Sequence, residues 1–273
     1  MRAGGLTNSP AGSGPFHRAL VVAAALVAVA SSCTSQAGPI DAGPDGVVRV
    51  ALWGDSLAHE AATYFVDAFV DQPMQVEVGT GALGGVALCD SVEPFIAKTA
   101  EVEYDAIVLA YSGNAFTPCM RDDIGDPLRG TAHTARYQQA LERIEATARE
   151  RGIALFIAGA PMAQTASPEA TSLIEMYRRF ADRSDVTTFV DVDDALLEDG
   201  RWTATLPCLP IEGPEQGCVD GRIAVHAPDG AHFCPTAEPA VLGVINECDA
   251  WSSGAYRYAQ ALADPVIARL ARP

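Results

Sequence analysis

Val47 to Leu57 reads V-V-R-V-A-L-W-G-D-S-L, a run of β-branched and apolar residues that ends abruptly at Gly54. An apolar-periodic segment begins directly after Ser56, so the pattern predicts a buried strand, a tight turn and a helix start. Ser56 would then lie at the carboxyl edge of a sheet beside free backbone N–H groups, where open α/β sheets bind ligands. Asp55 or Ser56 would equally suit a simple helix cap, so this stretch alone leaves both interpretations open.

Strands alternate with helices along the rest of the chain. Further strands are predicted at 74–78, 104–110, 153–158 and 186–192, and helices at 86–99, 131–151, 169–181 and 255–270. This alternation predicts a three-layer α/β/α sandwich with a five-stranded parallel sheet. The pattern fails from 203 to 221, which is expected to be a loop, and Arg222 to Ala227 looks extended. Gly79 to Gly85 predicts a glycine-rich loop, but it lacks the spacing and the lysine of a phosphate-binding loop.

Composition limits the classes of function. The chain has 273 residues, 49% of them hydrophobic and 19% charged, which is typical of a globular protein with a full core. Its net charge of −17 argues against nucleic acid as a partner, because binding nucleic acid requires clustered lysine and arginine. No metal cluster or cofactor motif is present in the sequence. We therefore expect one domain over residues 47–273, monomeric and without a cofactor.

The first 32 residues are expected to be an export signal rather than part of the fold. A weakly basic lead precedes an unbroken run of Ala, Val and Leu from Ala19 to Ala30, too short to span a bilayer stably. Small residues directly before Cys33 resemble a bacterial lipobox, which predicts a lipidated Cys33. Ordinary cleavage after Ala30 is the alternative. Residues 33–46 are small, polar and broken by Pro and Gly, which predicts a flexible tether.

The cysteine count fits an exported domain. Setting Cys33 aside leaves six of the seven cysteines, an even number that predicts disulfides, although six cysteines allow 15 connectivities. No pair has C-x-x-C spacing, so zinc binding and dithiol redox chemistry are disfavoured. Near neighbours across two loops suggest the pairs Cys208–Cys218 and Cys234–Cys248.

A serine nucleophile needs a base, usually histidine, and a carboxylate that fixes the tautomer of that histidine. Downstream of the signal, the chain has four histidines. We expect His59, three residues beyond the candidate serine, near the surface, His133 exposed at a helix start, and His226 packed in an apolar strand. His232 differs in having Asp229 three residues before it in a glycine-containing turn. By itself, D-x-x-H is a weak signal.

Taken together, three motifs resemble those of the SGNH (GDSL-type) hydrolases. Gly54-Asp55-Ser56-Leu57 follows the first strand, Gly113-Asn114 follows the third, and Asp229-Gly230-Ala231-His232 lies near the C-terminus. The resemblance covers about residues 47–270 and implies a flavodoxin-like fold. The α/β-hydrolase fold is disfavoured, because its G-x-S-x-G elbow follows several strands rather than the first.

The resemblance implies a role for each of these residues. Ser56 would be the nucleophile, His232 the general base and acid, and Asp229 the residue that orients His232. The Ser56 N–H would also donate to the oxyanion of the intermediate. The implied activity is that of a serine esterase acting outside the cytoplasm on a carbohydrate or lipid ester. An O-acyltransferase that modifies a cell-envelope glycan, or a non-catalytic binding module on the same fold, are the alternatives.

The resemblance also implies the remaining oxyanion donors. Asn114 would donate its side-chain amide, and a glycine after the second strand would donate its N–H, with Gly85 preferred and Gly84 left open. If both donors point at one oxyanion, Cys89 and Cys119 are brought close, which implies the third disulfide. Where the family usually has Asp after this Asn, the chain has Ala. That departure, and loops at 117–131 and 203–221 without a readable code, leave the substrate undefined.

Overall fold

The computed structural model of the protein describes residues 38–165, 167–234, 248 and 250–270. The predicted export signal and the predicted lipidation site Cys33 lie outside these residues. None of the helices in the described part of the chain combines the length and the apolar character needed to cross a bilayer.

A single five-stranded parallel sheet forms the centre of the domain, with strand order β2-β1-β3-β4-β5. Its strands are β1 Val47–Gly54, β2 Gln75–Ala82, β3 Ala106–Ala110, β4 Ala154–Ala158 and β5 Thr187–Val190. Strand β1 lies between β2 and β3, and Val50 pairs with Val78 on one side and Ala106 on the other. This order is the flavodoxin-like one, so the predicted fold class is confirmed.

Helices cover both faces of the sheet. They are α1 Ser56–Asp67, α2 Val92–Glu101, α3 Gly130–Arg151, α4 Pro168–Ala181, the one-turn α5 Asp193–Leu196 and α6 Ser253–Ile267. Alternate residues of β1 point to opposite faces, as strand geometry requires. Val50 and Leu52 pack in one buried cluster with α1 and α6, whereas Ala51 and Trp53 pack in a second with α2, α3 and α4.

The predicted glycine-rich loop is largely strand. Strand β2 was expected to end at Val78, but it pairs with β1 as far as Ala82. The reason is packing, because a Cβ on Gly81 would stand 2.8 Å from the Trp53 ring. The glycine makes room for this aromatic side chain, and the connecting loop begins only at Leu83. A 3₁₀ turn at Leu88–Ser91 then precedes α2, where one continuous helix was predicted.

Two short antiparallel pairs follow α5. Strands β6 Leu197–Glu198 and β7 Arg201–Trp202 form the first, and β8 Thr205–Pro207 and β9 Arg222–Ala224 form the second. The region expected to be only a loop therefore begins with a strand. All three predicted disulfides are present: Cys89–Cys119, Cys208–Cys218 and Cys234–Cys248. The second closes the long connection between β8 and β9.

The described part of the predicted tether packs onto the domain. Ile40 is only 4% exposed, and its N–H donates to the Arg269 carbonyl oxygen at 2.7 Å. In return, the Arg269 guanidinium donates to the Gly38 carbonyl at 2.8 Å. A free tether was expected here. The difference follows from Ile40, the one large apolar residue of this polar stretch, which gains by leaving water.

Candidate active site

Ser56 is the first residue of α1, directly after the turn that leaves β1. The Asp55 carboxylate caps the helix by accepting the Leu57 N–H at 3.2 Å. Among the described residues, the Ser56 N–H donates to no acceptor. The turn demands glycine before it, because a Cβ on Gly54 would stand 2.3 Å from the Ala110 carbonyl oxygen. Because Asp55 rather than Ser56 caps the helix, the Ser56 side chain is available to bind another group.

His232 contacts Ser56, although the two residues are 176 positions apart in the sequence. Its Nε2 lies 3.0 Å from the Ser56 Oγ, and its Nδ1 lies 2.6 Å from the Asp229 Oδ2. Because a carboxylate only accepts, the Nδ1 must carry the proton, which leaves Nε2 as an acceptor for the serine hydroxyl. The three side chains form one continuous hydrogen-bonded chain.

Asp229 also builds the turn that presents His232. Its Oδ1 accepts the N–H groups of Ala231 and His232, both at 3.0 Å. Partial burial raises the pKa of the Asp229 carboxyl, but these two N–H groups and the imidazole outweigh it, so its pKa is lowered overall. An ionised carboxylate at this position can hold the imidazole in one tautomer.

Asn114 lies just beyond β3, the strand next to β1. Its Nδ2 donates to the Val86 carbonyl at 3.1 Å and to the Asp55 Oδ2 at 3.4 Å. An oxyanion would therefore compete with the longer of these bonds for an N–H. Gly84 and Gly85 lie on the exposed loop after β2, and within the described chain their N–H groups donate to no acceptor. The choice between the two glycines remains a prediction.

Asp55 joins the nucleophile turn to the segment after β3. It is fully buried, and its Oδ2 accepts both the N–H and the hydroxyl of Ser112, each at 2.6 Å. Burial raises the pKa of the Asp55 carboxyl, and the donors from Ser112 and Leu57 oppose this rise. One carboxylate thus fixes the start of α1 and the residues that carry Asn114.

Three aromatic side chains hold the carbonyl groups of the same segment. The Tyr177 hydroxyl donates to Tyr111, the His133 Nε2–H to Gly113, and the Tyr137 hydroxyl to Asn114, at 3.3, 3.0 and 3.0 Å. His133 is only 1% exposed, so the expectation of an exposed histidine was wrong.

The sequence carried a signal for the burial of His133, although not for its acceptor. His133 precedes Tyr137 by four residues, and such residues share a helix face. Tyr137 is an aromatic residue on the buried face of α3, and His133 shares that face.

The other two histidines do not reach Ser56. The His59 Nδ1 lies 3.3 Å from the Ala82 carbonyl oxygen. His226 is buried, as predicted, and stacks on the Trp202 ring with 5.2 Å between centroids. Burial lowers the pKa of His226 and favours the neutral ring. Among the histidines that the structure describes, only His232 is therefore placed to take a proton from Ser56.

Potential metal ligands in the described chain do not assemble a cation site. Glu60 lies beside the Cys234–Cys248 disulfide, and Asp90 lies beside the Cys89–Cys119 disulfide. Disulfide sulfurs are not the thiolates that metals bind, so each group leaves one carboxylate. Elsewhere, a cleft of about 840 Å³ lies between α5, α6 and residues 206–211, and none of the triad side chains lines it.

Comparison with known proteins rests on structure. No protein-family model matches the sequence, and no curated protein does. The chain is similar to the lipase/acylhydrolase from Enterococcus faecalis, with 13% identity and a TM-score of 0.54, over 83% of this chain and 98% of the other. It is also similar to a candidate acylhydrolase from Bacteroides fragilis, with 14% identity and a TM-score of 0.50, over 86% and 92%.

These likenesses define the class of fold. The chain is similar to those acylhydrolases over most of each chain, and its own fold in the described residues is a parallel sheet in the order 2-1-3-4-5 with helices on both faces. The chain therefore has the fold of the SGNH hydrolases, and the resemblance predicted from the three motifs is confirmed at the level of the fold.

Proposed function

We propose that the protein is a serine hydrolase that acts on ester bonds through Ser56, His232 and Asp229. The observation that carries this proposal is the hydrogen-bonded chain from Asp229 through His232 to Ser56, with bonds of 2.6 and 3.0 Å. The second of these bonds joins His232 to Ser56, which are 176 residues apart in the sequence. A nucleophile bonded to a base that is oriented by a third group is the general signature of covalent acyl transfer.

The geometry suits each step of that reaction. The Ser56 Oγ attacks the ester carbonyl while the His232 Nε2 accepts its proton. Asp229 holds Nδ1–H and stabilises the imidazolium that forms. The imidazolium then protonates the departing alcohol oxygen as the tetrahedral intermediate collapses to an acyl-serine. A water molecule, deprotonated by His232, attacks the acyl-serine, and the acid is released as the serine regains its proton.

The oxyanion would be stabilised by donors from three strand ends. We assign these to the N–H of Ser56, the N–H of Gly85 or Gly84, and the Nδ2 of Asn114. The free N–H groups of Ser56 and the glycines support this assignment, and so does the fixation of Asn114 from both sides. Donors that are already in place stabilise developing charge without reorganisation, which is why such holes contribute strongly to rate.

We further propose that the enzyme works outside the cytoplasm on a carbohydrate or lipid ester, held at the membrane through a lipid on Cys33. Three disulfides support an oxidising compartment. The fold is shared with proteins described as acylhydrolases and a lipase. Net charge disfavours nucleic acid as a substrate.

A fluorophosphonate probe and p-nitrophenyl acetate test the proposal. The wild type should label and hydrolyse the ester, and Ser56→Ala should do neither while melting at the same temperature. Ser184→Ala is the matched control, because Ser184 lies before β5 at the opposite edge of the sheet. An unlabelled wild type would support a binding module instead.

Transfer is separated from hydrolysis by the products. Acetate release should be unchanged by an added glycan acceptor if the protein is an esterase. If the glycan becomes acetylated and acetate release falls, the protein is an O-acyltransferase that uses the same residues.

A further inference from the structure

Glu60 lies on α1 one helical turn beyond Ser56, and the residue is only 4% exposed. Its Oε2 accepts the N–H of Phe233 at 2.7 Å. Residues four apart lie on one face of a helix, and Phe233 directly follows His232. One buried carboxylate therefore connects the helix that carries the nucleophile to the chain that carries the base.

Phe233 is the firmly held residue of its segment. Its ring is 1% exposed and packs at 5.2 Å from the Tyr258 ring of α6. Its carbonyl accepts the Ser252 hydroxyl at 2.8 Å, and Ser252 caps α6. The Ser252 N–H in turn donates to the Tyr64 hydroxyl at 3.0 Å, one turn beyond Glu60 on α1. The segment is thus tied to α1 and α6 immediately after the base.

His232 itself is held less firmly. A third of its side chain is exposed, and its local contacts are those of a single turn: the Asp229 carboxylate, and the Ala227 N–H on its carbonyl at 2.7 Å. These contacts fix the shape of the turn, but they do not fix the distance of the turn from Ser56. The bond between Glu60 and Phe233 ties the turn to the helix that carries Ser56, and the Gly230 carbonyl, which accepts the Gln164 N–H at 2.9 Å, ties it to the loop after β4.

We propose that Glu60 is a positioning residue that sets the His232 imidazole against the Ser56 hydroxyl and places a buried negative charge near the imidazolium formed in the reaction. This inference rests on the proposed function, since it concerns the geometry of the same triad. The Glu60 carboxylate acts through the Phe233 N–H and forms no hydrogen bond with the Ser56 hydroxyl.

A purely structural role for Glu60 would need its hydrogen bond to Phe233 but not its negative charge. Burial raises the pKa of the Glu60 carboxyl, and Asp229 adds to this rise, whereas the N–H groups of Phe233 and Cys234 and the nearby His232 favour the ionised form. Among the described residues, His232 and Asp229 are the titratable groups that face it from the base segment. A neutral amide would satisfy the Phe233 N–H without the cost of burying a charge.

Three substitutions separate geometry from charge. Glu60→Gln keeps an acceptor of the same length and removes the charge. Glu60→Asp keeps the charge but is one methylene too short to reach Phe233. Glu60→Ala removes both. Glu145→Gln is the matched control, because Glu145 is a largely buried carboxylate that binds Ser184 and Thr187 near the amino end of β5.

Steady-state hydrolysis of p-nitrophenyl acetate across pH gives the readouts. Glu60→Ala and Glu60→Asp should lose about 10²-fold in kcat with KM within about twofold, since a base displaced by about 1 Å costs that much. Glu60→Gln should recover most of kcat. In this variant, the acidic limb of the pH profile of kcat/KM should move to lower pH, because removing a negative charge disfavours the imidazolium. Glu60→Asp should keep the acidic limb of the wild type, and Glu145→Gln should change neither quantity.

The outcomes are distinct. If Glu60→Ala and Glu60→Asp keep kcat within about twofold of the wild type, the positioning role is overturned. If Glu60→Gln leaves the acidic limb in place, the role of the charge is overturned. Should Glu60→Ala fail to fold, the Gln and Asp variants decide both questions. A wild type that no fluorophosphonate labels would instead defeat the proposed function, independently of Glu60.

Discussion

The two halves of the candidate site are built differently. The nucleophile half comprises Asp55, Ser56 and residues 111–114, and it sits at the buried ends of β1 and β3. The base half comprises residues 228–232, a partly exposed turn that directly precedes the buried Phe233. Both halves are organised by an aspartate, but Asp55 is fully buried whereas half of the Asp229 side chain is exposed.

This difference teaches where function and stability coincide. In the nucleophile half, the Asp55 carboxylate, Tyr137 and His133 hold the backbone around Asn114, so the same contacts would serve both folding and the proposed catalysis. In the base half, the exposed Asp229 carboxylate contacts the His232 ring from within a single turn. We therefore expect substitutions in the base half to remove activity alone and those in the nucleophile half to remove both.

The largest effect is expected in the base half. Asp229→Asn should lower turnover by about 10⁴-fold, because an amide opposite Nδ1 favours the wrong imidazole tautomer. The melting temperature should stay within about 2 °C of the wild type, since surface substitutions rarely change stability much. Ester hydrolysis and thermal denaturation of the same preparation check this.

Asp122→Asn is the matched control for that prediction. The Asp122 carboxylate also builds an exposed turn, accepting the N–H groups of Ile124 and Asp126 at 3.0 and 2.9 Å. Its substitution should leave turnover unchanged. If Asp229→Asn lowers the melting temperature as well as the activity, the base half is as integral to the fold as the nucleophile half.

A smaller effect on turnover is expected for the oxyanion donor of the nucleophile half. Asn114→Ala should lower kcat by about 10²–10³-fold, as the loss of one such donor does. Tyr137→Phe removes only the hydroxyl that holds the Asn114 carbonyl, and it should cost about 1 kcal/mol of stability and a few-fold in kcat. An Asn114→Ala variant as active as Tyr137→Phe would exclude Asn114 as a donor. Steady-state kinetics and urea denaturation measure both.

Asp55→Asn should lower both stability and activity, because Asp55 holds the fold and the candidate site together. Its amide group must face either the Leu57 N–H or the Ser112 and Asn114 donors that Asp55 now accepts. The variant should lose about 1–3 kcal/mol in the free energy of unfolding, the cost of leaving a buried donor without an acceptor. Activity should fall with it. Urea denaturation checks the first effect, and an unchanged midpoint would contradict the proposed role of Asp55 as the organising carboxylate.

The same contrast between local and distant contacts explains what the sequence could predict. The strands and the turn at Gly54 were readable because hydrophobic runs and glycine report local conformation. The three motifs resembled a family with this fold, and that resemblance led to Ser56, Asn114 and His232 and to the Cys89–Cys119 pair. The fold and the disulfide pairs are confirmed, whereas the catalytic roles remain predictions.

What could not be predicted depends on partners distant in sequence. Gly81 looked like part of a loop, because only the Trp53 ring of the neighbouring strand explains its place in β2. His133 looked exposed, because its acceptor, the Gly113 carbonyl, lies on another element. Glu60 carried no signal in the sequence, since its partner Phe233 is 173 residues away. No local pattern reports such contacts.

The smallest expected effect is on the pH dependence of stability. The buried Glu60 carboxyl and the half-exposed Asp229 carboxyl should change it in opposite directions. Burial raises the pKa of Glu60 above its ordinary 4.5, so the folded state binds that proton more tightly than the unfolded state does. The stability contribution of Glu60 therefore falls as pH rises from about 4.5 through the raised pKa, by about 1.4 kcal/mol for each unit of the rise. Glu60→Gln should consequently gain stability relative to the wild type over that window.

Asp229 should respond in the opposite direction. Its folded pKa lies below the ordinary 3.8, so its stabilising contribution is present above that value and is lost as pH falls through the lowered pKa. The contribution is small because the side chain is half exposed and screened by solvent. Melting temperatures from pH 3 to 8 for Glu60→Gln, Asp229→Asn and the wild type measure both. If Glu60→Gln loses stability relative to the wild type as pH rises, then the buried carboxylate stabilises the fold in its charged form, and the base half owes its position to an ion pair rather than to a hydrogen bond.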